Sequence, residues 1–459
     1  MRLRRTDLQR RINGNLTFRA SDDRLSSYAG LELLRISCRQ VLLPSLLRRY
    51  ATKHLPSTDY GKVSMILLIL AVLFTGGRRL RCINSLCGDP VVERFSSLRQ
   101  LPTARSVTRW MKQFDNDSVI GLRRVNEELV GGLIRAMDLP RLTIDIDGSV
   151  LSTGLQTEGA KRGYNPHRRK VPSYYPISAY EANSGLMLGV LNRSGNVHDG
   201  KASPAFIQSI LDQCQRTTRR KVIREIRVDG AFFRRDVLEL LDRERVEYAI
   251  KAPMHDWLGL KQRILKRRWW TVAETDVDFF TTKVRIKPWK RTEKITVYRR
   301  LVNHKRSKHF QLDLFDPDDG HYEYSAVASN KSLSGKALWK FMNGRGTHEK
   351  VYGELKSGFA FAAVPTQSYH ANSAWQLLNL MAFNINRAMQ ATANAEQRPR
   401  THKRRSLLRY EHINTLRQRL IHRAGLLLNV SGKAMLDLGA NESVLKNFVT
   451  WQSSLQNAA

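Results

Sequence analysis

Leu142-Thr143-Ile144-Asp145-Ile146-Asp147 alternates apolar and polar side chains with a period of two. Such alternation predicts a strand with Leu142, Ile144 and Ile146 on a buried face and Thr143, Asp145 and Asp147 on the other. A carboxylate at the end of a buried strand costs desolvation energy unless it is paired or binds a cation, so the two aspartates require partners.

The pattern downstream gives that strand its neighbours. Tyr174 to Tyr180 and Leu186 to Leu191 read as two further strands around the hairpin turn Asn183-Ser184-Gly185. Ser203-Pro204 caps a helix through Cys214, Ile223 to Val228 is a strand, Arg235 to Leu241 a helix and Glu247 to Ala252 a strand. Three strands in meander, then helix, strand, helix and strand, is the order of an RNase H-like mixed sheet. Its first and fourth strands lie side by side, which brings Asp147 next to Asp229, the residue after Val228. Two facing carboxylates repel, and a divalent cation removes the penalty. Two Mg²⁺ ions about 3.5–4 Å apart are the device for in-line phosphoryl transfer.

Around this core the reading gives five regions. Residues 1–140 form a helical DNA-binding region, 141–257 the first part of the core, 258–322 a β-rich insertion, 323–392 the second part of the core, and 393–459 a basic linker and a helical C-terminal region. The apolar run Val63 to Phe74 is too short to span a bilayer and reads as a buried helix. Asp89-Pro90 caps the next helix, and Val107, Trp110, Met111 and Phe114 form the apolar stripe of another. That pair resembles a helix-turn-helix with Arg105, Arg109 and Lys112 on its outer side, against a plain amphipathic pair as the alternative. Tyr324 to Ser329 reads as a strand, Ser334 to Gly358 as mostly helical, and Ala374, Leu377, Leu378, Met381 and Ile385 as one face of an amphipathic helix. Arg398 to Arg405 holds five Lys or Arg and reads as a linker or a phosphate-contacting arm.

The chain carries 77 Lys+Arg against 41 Asp+Glu over 459 residues, a formal charge of +36. Such self-repulsion is relieved by a polyanion, and cations spread from Arg2 to Lys446 suit an extended duplex better than a membrane surface. No secretory signal or membrane span is read, which points to a cytoplasmic protein. Cys38, Cys82, Cys87 and Cys214 complete no zinc spacing and read as reduced thiols.

A third carboxylate comes from the helical stretch after the insertion. At 100° per residue Arg345, Glu349, Tyr352 and Lys356 fall within about 60° of one another, while Glu354 points to the far side. Glu349 thus shares a face with a guanidinium fork and a point charge, both suited to phosphate. Alone, Arg345 and Glu349 would read as an ordinary ion pair one helical turn apart.

Arg345-(3)-Glu349-(6)-Lys356 resembles the Tyr-(2)-Arg-(3)-Glu-(6)-Lys signature of DDE transposases of bacterial insertion sequences, with Met342 at the Tyr position. Ile226-Arg227-Val228-Asp229 resembles that family's second acidic motif, and Asp147-Gly148-Ser149-Val150-Leu151 its first, with Asp145 as the rival. The resemblance covers nearly the whole chain. It implies an RNase H-like core, two Mg²⁺ ions (Mn²⁺ as substitute), binding to terminal inverted repeats and target DNA, and action as a homodimer on DNA or a larger synaptic assembly. It also implies Asp147, Asp229 and Glu349 as metal ligands, with Arg345 and Lys356 holding the strand to be cut. Trp269, Trp270 and Trp289 become candidates for stacking on a displaced base, with burial in the insertion as the alternative. Arg168, Arg169 and Lys170, in a loop with Tyr164 and His167, are candidates for DNA tracking, against a solvated charge run. His198-Asp199 reads as a loop rather than a metal pair. The function so implied is end cleavage and strand transfer. The competing readings are a metal-dependent nuclease on the same core and a non-catalytic DNA-binding protein.

Overall fold

The computed structural model of the protein describes residues 24–457 apart from 155, 164, 166, 167, 169, 198, 199, 219–221, 302–321 and 394. Arg2, Arg4, Arg5, Tyr164, His167, Arg169, His198 and Asp199 therefore lie outside the described residues.

Among the described residues six α-helices precede the first long strand: α1 (Leu31–Gln40), α2 (Leu43–Tyr50), α3 (Lys62–Phe74), α4 (Pro90–Ser96), α5 (Ala104–Lys112) and α6 (Asn116–Met137). Apolar all round, α3 is buried at every position from Met65 to Phe74. No described helix is long and apolar enough to cross a membrane. Asp89 caps α4 by accepting from the Val91 and Val92 amides, and Pro90 takes the first position, where no amide is needed. Asp89 also accepts from Ser26 Oγ at 2.8 Å, which ties the start of the described chain to this helix.

The centre of the molecule is a nine-stranded mixed sheet. Its strands are β1 (Arg141–Gly148), β2 (Ile177–Glu181), β3 (Leu186–Leu191), β4 (Ile223–Val228), β5 (Glu247–Ala252), β6 (Thr271–Glu274), β7 (Val277–Ile286), β8 (Arg291–Leu301) and β9 (Tyr322–Ser329). They lie in the order 3-2-1-4-5-9-8-7-6. The first five have the expected RNase H-like arrangement, with β1, β4 and β5 parallel and β2 antiparallel to β1. The strands between residues 271 and 301 join the same sheet through β9. Leu142, Ile144 and Ile146 of β1 share a core with α7 (Ser203–Thr217) and α8 (Arg235–Arg243). The opposite face is covered by α9 (Gly335–Asn343), α10 (Gly346–Gly358) and α11 (Tyr369–Ala393), which carry the candidate acid Glu349 and its surroundings.

Four expectations change. The strand read from Tyr174 to Tyr180 divides at Pro176, which has no amide to give: Ser173–Tyr174 pairs with Leu151–Ser152, and β2 starts at Ile177. Ser203 is the first residue of α7 rather than its cap, and the helix runs on past Cys214 to Thr217. The helix α11 is not amphipathic; Asn379, Asn384, Asn386 and Gln390 are also buried, and Asn384, for example, donates to Asn126 and to the Met187 carbonyl. Finally, the C-terminal region is not wholly helical. A hairpin of β10 (Gly425–Val430) and β11 (Lys433–Asp437) pairs with Leu25–Ser26 before the last helix, α12 (Glu442–Asn457). Ser431 and Gly432 both take positive φ, 51° and 78°, in its two-residue turn.

Candidate active site

Parallel pairing of β1 with β4 sets Asp145 opposite Arg227. Two residues on stand Asp147, still within β1, and Asp229, just past the end of β4, so both lie where these neighbouring strands end. Asp147 keeps its side chain half-exposed and accepts from the Gly148 amide at 2.9 Å. Asp229, also half-exposed, caps the short turn after β4 by accepting from the Ala231 amide at 3.0 Å.

Asp145 has a different environment. It is fully buried and forms a two-pronged pair with the equally buried Arg227, at 2.6 and 2.7 Å. Burial pushes its carboxyl above the usual range, and Arg227 opposes that. Arg227 spends its remaining hydrogens on the Phe341 and Lys403 carbonyls, each at 2.7 Å, and on the Arg404 carbonyl at 3.3 Å. Asp145 is thus taken up in an interior ion pair, whereas Asp147 is partly exposed at the end of β1.

The stretch from Ser334 to Gly358 is two helices rather than one. The junction is Gly344, whose hydrogen faces the Lys403 carbonyl and the Arg227 guanidinium with no room for a methyl group. Arg345 occupies the cap position of α10 and turns inward. Its guanidinium lies 3.3 Å from Asp147 and 4.0 Å from Glu349. Burial would lower its pKa, but Asp147, Asp229, Asp145 and Glu349 together hold it above the ordinary value. All three predicted acids therefore act on one cation. Lys356, one face of α10 further on, is pushed down by burial, with Asp147 as the opposing charge. Glu354 lies on the far side, as expected, paired with Arg387 and accepting from the Ile413 amide at 2.9 Å.

The donor set of three carboxylates suits a hard divalent cation. In this structure the Arg345 guanidinium stands among them, and among the described residues no three acidic, His or Cys side chains converge closely enough to hold one ion.

One residue at the site was not singled out by spacing. His348, next to Glu349, is buried, stacks on Tyr180 at 5.4 Å and 7°, and places Nε2 3.4 Å from Ser178 Oγ. Ser178 is the partner of Asp147 in β2. Burial, then Arg345 and Arg227, lowers the His348 pKa to about 3, so the ring is neutral and acts as a packing wedge beneath α10. A lone His beside a Glu carries no signal of this in the sequence.

The remaining candidates are dispersed. Arg105, Arg109 and Lys112 are exposed on α5, whose Trp110 faces inward and donates to the Pro56 carbonyl. Arg168 and Lys170 are exposed. Met342 is buried. Trp270 packs edge-on to Phe280 at 4.8 Å with Arg299 over its ring, and Trp289 packs on Phe233, four residues after Asp229. Trp269 differs from both in being 82% exposed.

A family model described as "Transposase DDE domain group 1" matches residues 9–459. Among solved structures, a piggyBac transposase synaptic complex with hairpin DNA is similar at 9% identity and a TM-score of 0.43, over 94% of this chain and 85% of that one. A Drosophila P element transposase strand transfer complex is similar at 13% identity and a TM-score of 0.24, over 48% of this chain and 50% of that one. No curated protein matches the chain.

Proposed function

The chain belongs to the transposase DDE domain family, group 1, and from that premise we propose that it is a DNA transposase of the insertion-sequence branch with the Tyr-(2)-Arg-(3)-Glu-(6)-Lys signature. It binds the terminal inverted repeats of its element, cleaves at the ends and joins them to target DNA. The observation that supports the reading is that Asp147, Asp229 and Glu349 all act on the Arg345 guanidinium, the first two standing just beyond the paired Asp145 and Arg227 of β1 and β4.

Asp147, Asp229 and Glu349 would hold the divalent ions, Mg²⁺ or Mn²⁺. When bound, such ions activate water or a 3′-hydroxyl and stabilise the leaving 3′-oxygen. The chain's own residues do the rest. Arg345 balances the acids at the strand ends, and its fork can pass to a phosphate that enters there. Lys356 supplies a second, partly desolvated cation on the same helix face. The neutral His348 fixes the height of α10 over β2. Exposed cations of α5 supply the salt-dependent hold on the duplex, and a homodimer would bring two ends together.

Incubation of the protein with Mg²⁺ and a duplex bearing the element's own end tests the proposal. Cutting at the end followed by joining to a second duplex is the expected result. Cutting without joining would reduce the protein to a nuclease, and binding alone to a DNA-binding protein. Asp229→Ala is expected to abolish cutting and leave duplex binding within about threefold; undiminished cutting by that variant would remove Asp229 from the site.

A further inference from the structure

We propose that the Arg-rich loop of residues 398–407 builds a phosphate-binding pocket at the opposite end of β1 from the candidate active site. Its DNA source rests on the transposase reading; its charge does not.

The loop is closed rather than loose. Glu396–Gln397 pairs with Leu408–Arg409, and the Arg398 amide donates to the Leu407 carbonyl at 2.6 Å. Its far end is held from inside the protein. Buried Arg227 donates to the carbonyls of Lys403 and Arg404, at 2.7 and 3.3 Å, and Arg404 takes a left-handed backbone with φ of 46°. A non-glycine residue persists there only when its surroundings over-determine it. The side chains of this loop are therefore presented on a fixed frame.

Between the loop and the start of β1 is a cavity of about 200 Å³, lined by Arg141, Asn183, Arg400, Thr401, Arg404 and Arg405 among others. Arg141 opens β1 and Asp147 lies six residues on, so the cavity stands about 20 Å from the acids. Its charge is unbalanced. Glu225 meets Arg141 at 2.6 Å, Lys331 at 2.5 Å and Arg404 at 3.5 Å, and Glu247 meets Arg141 at 2.7 Å and also Lys331. Three cations thus share two carboxylates. Arg400 and Arg405, both exposed, have no carboxylate partner among the described residues, so the group keeps about three positive charges. The neighbouring Arg398 reports the same excess: burial, then Arg405, Arg409 and Arg387, lowers its pKa.

A tetrahedral phosphate carries more oxygens than a carboxylate and suits several planar forks at once. A loop backbone fixed in advance lowers the ordering cost of binding. The phosphate could be a backbone group of bound DNA or a free anion, and both present the same chemistry.

The test is the double variant Arg400→Gln/Arg405→Gln in the full chain. Both side chains are exposed, so its circular dichroism and melting should match the unaltered protein. Two readouts are taken: the slope of log affinity for duplex against log salt, on an end duplex and a scrambled one, and the thermal midpoint in added inorganic phosphate. If DNA fills the pocket, the slope falls by about two, and affinity at ~0.1 M salt drops about tenfold or more on both duplexes. If a free anion fills it, phosphate raises the midpoint of the unaltered protein and not of the variant, with the DNA slope unchanged. An unchanged slope together with an unchanged phosphate response overturns the pocket. Failure of the transposase reading would show separately, as an unaltered protein that neither cuts nor joins ends.

Discussion

Asp145 and Asp147 project from the same face of β1, and what stands opposite each decides its role. Asp145 meets Arg227 with both groups wholly buried, whereas Asp147 has water on one side and Arg345 on the other. Removing one partner of a buried pair leaves the other charge uncompensated, at a cost of about 3–5 kcal/mol. Asp145→Asn is therefore expected to lose stability on that scale in urea denaturation, and Asp147→Asn to stay within about 1 kcal/mol while losing end cleavage. Equal stability of the two variants would contradict the assignment. The alternation of apolar and polar residues revealed both aspartates but could not rank them, because the ranking depends on Arg227, a residue 82 positions away in the chain. Arg345 allows a second expectation. It is the cation to which Asp147, Asp229 and Glu349 respond, so Arg345→Gln should raise the affinity of the DNA-free protein for Mn²⁺ several-fold and lower its stability without metal. Titration calorimetry reads the first and thermal melting the second. Unchanged Mn²⁺ affinity would mean that the guanidinium does not compete for the site.

At the scale of elements, the helical phase of Arg345, Glu349 and Lys356 was legible because a single short helix, α10, carries the last two and is capped by the first. The break before it was legible only as a weakness: Gly344 and Gly346 lower helix propensity, but nothing local shows that Gly344 sits against the Lys403 carbonyl. That contact joins three pieces, the α9–α10 junction, the Arg227 pair and the Arg-rich loop. A methyl group there must displace backbone, so Gly344→Ala is expected to cost about 1–3 kcal/mol and, by shifting α10, to reduce cleavage more than duplex binding. Cleavage lost only in proportion to binding would argue that α10 has not moved. The C-terminal hairpin went unread for the opposite reason. Leu426, Leu427 and Leu428 form an apolar run that fits a helix as well as a strand, and the deciding turn, Ser431-Gly432, is only two residues long. In α11 the polar residues suggested an exposed face, yet they bond inside the protein, a satisfaction that periodicity does not encode.

Over the whole molecule, the change from helical to alternating pattern at residue 141 marks a change of element type, while the packing crosses it without a seam. One core holds Leu33, Phe74, Trp110 and Leu129 from the helices before β1 together with Leu355, Trp375 and Phe383 from those after the sheet, and Trp451 and Leu455 from α12. The start of the described chain also joins the C-terminal hairpin, Leu25 pairing with Leu426. Composition could not reveal this, since a buried helix such as α3 declares that it is covered but not by what. The consequence is thermodynamic. A chain begun at residue 138 would strip α11, buried along most of its length, of its contacts with α3 and α6 and expose several large apolar side chains at once. Each such side chain is worth about 1.5–3 kcal/mol when buried, and a few of them exceed the whole stability of an ordinary domain. That fragment is expected to aggregate or to lack a cooperative melting transition, as read by size exclusion and calorimetry. In the intact protein, amides of α3 and α11 should exchange with solvent as one unit, at a common free energy of opening. A soluble fragment with a sharp transition, or earlier exchange in α3 than in α11, would show that the helical region folds on its own and that the shared core is a docking surface between two separate bodies.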